Sequence, residues 1–214
     1  MEAILNFDLL WVGIAVAGAG TLGFSIYFSN PASGTSRAFL FFAMVSVLWS
    51  IANFASARVI DPTAVLWSIR LVLFFATWHA FSFFVLARQF PASEFKFTKG
   101  VFLGLLSWAA VVSIVVLTPT VYEAVIAVTP VVETKTGPGI ALFGLTVFGF
   151  TGTGIWMLLR KFIRSTGGER HQMEFVFTGM ILTFIFLIVF DFIFPAFLNI
   201  PTLVPFGGLF LLPF

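Results

Sequence analysis

Six apolar runs divide the chain, at residues 9–28, 38–57, 64–87, 101–118, 140–159 and 173–194, and they leave it few folds to adopt. Each is about 20 residues long, and at about 1.5 Å of helical rise per residue that length crosses a hydrocarbon core about 30 Å thick. Hydrophobic residues make up 60% of the chain and charged residues 9%, with a mean hydropathy of +1.09, whereas a soluble domain of 214 residues needs far more polar surface. The expected fold is all-α: one polytopic transmembrane helix bundle over residues 1–214, with six full spans and a partial seventh.

The charges orient the bundle. The first, third and fifth gaps between runs hold Arg37; Arg88, Lys96 and Lys99; and Arg160, Lys161, Arg164 and Arg170, which is eight of the eleven Lys and Arg. Cytoplasmic loops carry the excess of basic residues, so these gaps are expected in the cytoplasm and the N-terminus outside, with the chain in the cytoplasmic (inner) membrane. The net charge of +2 reflects this bias, and no basic stripe marks a nucleic-acid partner. A cleaved signal peptide is not expected, because the first residues carry Glu2 and Asp8 and the first run is too long for a signal core. The absence of cysteine excludes disulfides, thiolate metal sites and thiol chemistry. The 31 Phe and 6 Trp suit lipid-facing and interfacial surfaces.

The gaps are informative in turn. Small residues at Ala15, Ala19 and Gly23 in span one recur every four residues and let a second helix approach closely; Gly144, Gly149, Gly152 and Gly154 suggest equally tight packing of span five. The short gap at 58–63 makes spans two and three antiparallel neighbours. The fourth gap, 118–139, is long, rich in Val and Thr, and punctuated by Pro and Gly, which predicts an extracellular β-hairpin-like cap over 120–137. The fifth gap, 160–172, reads as a basic cytoplasmic loop in which Arg160, Lys161 and Arg164 bind anionic headgroups and Gly167 and Gly168 interrupt the helix. After Pro201 about ten apolar residues begin what reads as a seventh span, so a longer parent protein is expected.

In order and spacing these features resemble a known family, the seven-transmembrane N-terminal region of bacterial sensor histidine kinases. The resemblance rests on Trp49 within VLWSIANFA, Arg70 within WSIRLVLFF, LARQFP at the end of span three, and GPG closing the β-rich gap. It continues with ERHQMEFVFTG leading into span six and with IPTLVPFGGLFLLPF at the end. It implies a sensory, signal-transducing module regulating a histidine kinase or other output domain not in this chain, and a homodimer in the parent protein. The phosphoacceptor and nucleotide-binding motifs of a kinase are not in the sequence, so no enzymatic activity is assigned to it.

Ionisable groups inside spans are costly, and each needs a partner or a task. Arg70 lies about 10 Å deep from the outer end of span three, and Asp191 lies at the outer end of span six. With Asn53 of span two they are expected to converge in the outer half of the bundle, as a structural lock or as a pocket for the stimulus. Ser46, Trp49, Ser50, Asn53 and Ser56 share one face of span two. His79 sits near the middle of span three, nine residues from Arg70 and so on about the opposite side of the helix; His79 and Trp49 are secondary candidates. The other histidine, His171, is at the cytoplasmic edge, so neither a metal nor a cofactor is expected. Arg170 and Glu174 form a surface pair, and Glu123, Glu133 and Lys135 are solvated positions of the cap. The expected partners are membrane lipids and an unknown small or membrane-borne stimulus. The competing reading, a small transporter or channel-like subunit, lacks an evident inverted repeat and a polar midplane path. A membrane enzyme lacks a catalytic cluster. Reporter fusions after Arg37, Lys99 and Arg164 should all read cytoplasmic; a periplasmic signal at any one of them overturns the topology.

Overall fold

The computed structural model describes residues 2–91, 98–128 and 133–187. Four helices come first: α1 (Glu2–Ser29), α2 (Gly34–Ser56), α3 (Pro62–Gln89) and α4 (Lys99–Val116). Two strands follow, β1 (Tyr122–Ala127) and β2 (Glu133–Thr136), and then α5 (Gly139–Arg164) and α6 (Gly167–Leu187). Helices α1 to α5 are each long and apolar enough to cross a membrane. The expected full sixth span and partial seventh run into residues 188–214, which lie outside the described residues, and Asp191 lies there too.

Side-chain caps set where the helices start. Ser33 Oγ accepts from the Ser36 amide at 3.4 Å, Asp61 from the Ala64 amide at 2.8 Å, and Thr98 Oγ1 from the Val101 amide at 3.3 Å. Pro62 opens α3, where its missing amide hydrogen costs nothing. Caps of this kind are worth about 1 kcal/mol each. The short links hold α1 against α2 and α2 against α3, and the α2–α3 pair makes the most extensive helix packing in the described residues.

The fifth gap is not the loop its polarity suggests. Helix α5 continues through Arg164, only Ser165 and Thr166 intervene, and α6 opens at Gly167, whose φ of +58° makes the corner at little steric cost. Loss of hydropathy marks where a helix leaves the hydrocarbon, not where its hydrogen-bond ladder stops.

Helix α3 is the centre of the bundle, packing on α2, α4, α5 and β1. Towards its C-terminal end it joins Ala38, Phe42, Phe83, Leu86, Ala87, Leu158 and Met173 in one buried cluster. Further along, Ala80, Phe81 and Phe84 pack with Ala109, Phe150 and Met157. Small residues bring the backbones together. A methyl added to Gly23 would sit 2.8 Å from Ala43 Cβ, and one added to Gly154 would sit 2.7 Å from the Phe83 ring. Ala15 is likewise buried, so the small-residue stripe of α1 faces α2 as its spacing requires. In α5 the tight packing narrows to Gly154, since a methyl on Gly144, Gly149 or Gly152 would meet nothing within 4 Å. Large apolar side chains such as Phe148 and Phe175 are about four-fifths exposed, at 79% and 80%, the inside-out surface of a chain solvated by lipid.

The hairpin predicted in the fourth gap is present. Strands β1 and β2 are antiparallel, pairing Tyr122 with Thr136 and Val125 with Thr134. The GPG turn ties it down: the Gly137 amide donates to Val121 O at 2.9 Å and the Gly139 amide to Thr120 O at 2.8 Å. A side chain at Gly137 would run into the Thr120 carbonyl oxygen, which explains the glycine. Val112, Val116 and Val121 are fully buried beneath the hairpin.

The contrast between the two glycines is testable. Gly154→Val overpacks the α3–α5 contact and should cost about 1–3 kcal/mol, lowering the heat-unfolding midpoint in nanodiscs by about 3 °C or more. Gly149→Ala, with open space around it and a better helix former in place, should leave the midpoint unchanged or raise it. Equal effects of the two would refute the close approach at Gly154.

Candidate functional site

The buried residues of α5 follow one helical stripe: Thr146, Phe150, Gly154, Met157, Leu158 and Lys161. Lys161 therefore faces the interior, and only 3% of its surface is exposed. Its ammonium donates to three carbonyl oxygens at the end of α3: Ala87 at 3.1 Å, Arg88 at 2.9 Å and Phe90 at 2.6 Å. Thr35 Oγ1, in the first turn of α2, donates to Gln89 O at 2.8 Å, and the Phe90 amide to Leu86 O at 2.9 Å. A helix ends with carbonyls that have no intrahelical donor and with the negative pole of its dipole. Here every carbonyl from Leu86 to Phe90 has a donor, supplied by α2, α5 and the chain itself. Lys161 is thus a clamp between α3 and α5 and not the headgroup ligand its basic neighbours suggest. Arg160, which stacks over the Trp156 ring at 5.4 Å, and the exposed Arg164 lie off the buried stripe.

At the opposite, hairpin end Arg70 is also buried, at 5% exposure. Its Nη2 donates to the Tyr122 carbonyl oxygen of β1 at 2.7 Å, and the guanidinium lies 5.1 Å from the centre of the Trp67 ring. Arg70 Nε has no hydrogen-bond partner among the described residues. Tyr122 is half-buried; burial pushes its phenol above the usual range and a hydrogen bond with Thr134 opposes this, so it stays neutral at physiological pH. Lys135 and Glu123 pair at 2.6 Å with side chains 64% and 41% exposed. That contact raises the Lys135 ammonium, but a pair so exposed adds little to stability.

Asn53 Nδ2 donates to Trp49 O at 3.1 Å, within its own helix, and among the described residues no hydrogen bond joins Asn53 to Arg70. His79 faces α2, away from the hairpin contact of Arg70. Its ring lies 4.9 Å from that of Phe42 and 5.4 Å from that of Trp49, nearly parallel to the latter at 22°. His79 Nε2 and Trp49 Nε1 are shut off from solvent without a hydrogen-bond partner among the described residues. Arg170 and Glu174 pair at 3.4 Å on the surface of α6, as expected, and His171 joins the same carboxylate at 3.2 Å. Neither Lys161 nor Thr35 is among the site residues expected from the sequence. The three- and four-residue spacing from Gly154 through Leu158 to Lys161 was the signal that marks the first; nothing local marks the second.

No curated protein and no solved structure matches the chain. Residues 9–212 match the family described as the N-terminal 7TM region of histidine kinase. That match spans nearly the whole chain and agrees with its five apolar helices. This multi-pass membrane protein belongs to the family of N-terminal 7TM regions of histidine kinases.

Proposed function

We propose that this chain is a membrane-embedded sensory module that regulates a cytoplasmic histidine kinase output domain. In this reading it lies in the inner membrane with the N-terminus outside, has six full spans and a partial seventh, and works as a homodimer in the parent protein. The observation that carries the reading is that α3 is held at both ends through backbone carbonyls. Arg70 grips β1 at the hairpin end, and Lys161 and Thr35 grip α3 at the basic end. A stimulus that alters the hairpin's hold on Arg70 is passed along a rigid helix to α5 and α2. Such transmission needs two packings of the bundle that differ in affinity for the stimulus. Arg70, Asp191 and Asn53 form the lock or stimulus pocket of the outer half, with His79 and Trp49 as a secondary position. The family match gives no support to a transporter or channel-like subunit.

Autophosphorylation of the parent protein in nanodiscs tests this. Lys161→Met leaves three carbonyls without that donor, at about 1–3 kcal/mol each, and should change basal output by about fivefold or more. Arg160→Met, off the buried stripe, should not. Unchanged output from a folded Lys161→Met protein removes the clamp from the signal path.

The outer lock has its own signature. Arg70→Ala and Asp191→Ala should shift output alike, with the double variant little worse than either, as for two residues that act as one. Additive effects would separate the two residues.

A further inference from the structure

We propose that the bundle holds one acyl chain of an anionic phospholipid in a cavity beside the Lys161 clamp. The cavity, of about 200 Å³, is walled by Ile26 of α1, Phe39 of α2, Phe83 and Leu86 of α3, Leu158 of α5 and Val176 of α6. Among the described residues Thr35 supplies its one polar side chain, and that hydroxyl is already donated to Gln89 O. Among the described residues, no polar side chain in the wall is left to hold water. An apolar cavity of about 150 Å³ in a soluble protein stays dry and takes up a hydrocarbon guest, and this one is larger.

Its depth says which hydrocarbon is at hand. Ile26 is three residues from the end of α1, Thr35 is in the first turn of α2, and Phe90 caps α3, so the cavity lies within about 10 Å of the basic end of the bundle. That is the upper part of a leaflet whose hydrocarbon is about 15 Å thick. The rim at this end carries Arg37 and Arg164, both exposed, which complements an anionic headgroup above the chain. The site also abuts the clamp. Phe90, in the cavity wall, gives its carbonyl to Lys161, and Leu158 lies one helical turn before Lys161. A chain in the cavity supports the wall against which the clamp closes. The lipid site stands on the cavity and its depth, whether or not a kinase follows this chain.

The test uses the full chain in nanodiscs containing a trace of phosphatidylglycerol with a diazirine on one acyl chain. Adducts should concentrate on the peptides carrying Ile26, Phe39 and Val176. They should fall about tenfold in both Ile26→Trp and Val176→Trp, which fill the cavity from its edge, while labelling around the outward-facing Phe148 is unchanged. Using two fillers guards against one failing to fold. Labelling that is no denser at the cavity than at Phe148, or that survives both fillers, overturns the site. A phosphatidylcholine probe that labels the cavity as strongly overturns the headgroup assignment. Photo-leucine in place of Leu86 should return the mass of the lipid, and a peptide from a second copy in its stead overturns the choice of occupant.

Discussion

A helix terminus enclosed among other helices has no water to satisfy its last carbonyls, and at the end of α3 the bundle answers that need with side chains from its neighbours. Lys161 crosses from α5 to three of these oxygens and Thr35 from α2 to a fourth. Burying an ammonium costs several kcal/mol even after relaxation. Three carbonyls and the negative pole of the helix offset that cost, and only while the distances stay near 3 Å. The surrounding sequence has to allow it. Gly154 and Ala87 bring α5 and α3 close enough for the lysine to reach, with a methyl on Gly154 only 3.6 Å from Ala87 Cβ. The clamp therefore sets the mutual register of three helices.

The two ends of α3 are not equally satisfied. At the basic end the ammonium donates to three carbonyls. At the hairpin end Arg70 makes a single backbone bond, to a two-stranded element, and its Nε has no partner among the described residues. An isolated two-stranded hairpin is only marginally stable, so the Tyr122 carbonyl is held by a yielding partner. A displacement costs least where the polar groups are least completely bonded. In the proposed function the hairpin end is therefore where α3 would respond and the clamped end where its movement would be delivered.

Much of this architecture is legible in the residues. Run length reveals the apolar helices, and β-branched residues between Pro and Gly reveal the hairpin. The two failures share a cause. The fifth gap looks like a loop, and Lys161 like a headgroup ligand, because hydropathy was read as the boundary of the helix; the helical spacing continues past it and carries Lys161 inward. The partner of Arg70 was harder to foresee. Carboxylates are visible in a sequence as candidate counter-ions, whereas a backbone carbonyl such as that of Tyr122 is present at every position and becomes a partner only once the hairpin has folded over the helix. Asp191 lies outside the described residues, so its part in that site rests on the sequence alone.

Between its two ends α3 is held differently. The hydroxyls of Ser46, Thr77 and Ser82 donate to carbonyls of their own helices, those of Phe42, Leu73 and His79, and so bridge nothing. What meets across the α2–α3 interface at this depth is the His79 ring against Phe42 and Trp49. Ring contacts tolerate offset far better than a hydrogen bond tolerates a lost ångström. A small slide or rotation of α3 thus disturbs few directional contacts along its middle and several at its clamped end. For the two bundle packings that the proposed function requires, the directional contacts that would distinguish them are thus concentrated in the carbonyl bonds at the termini of α3, among residues far apart in the sequence.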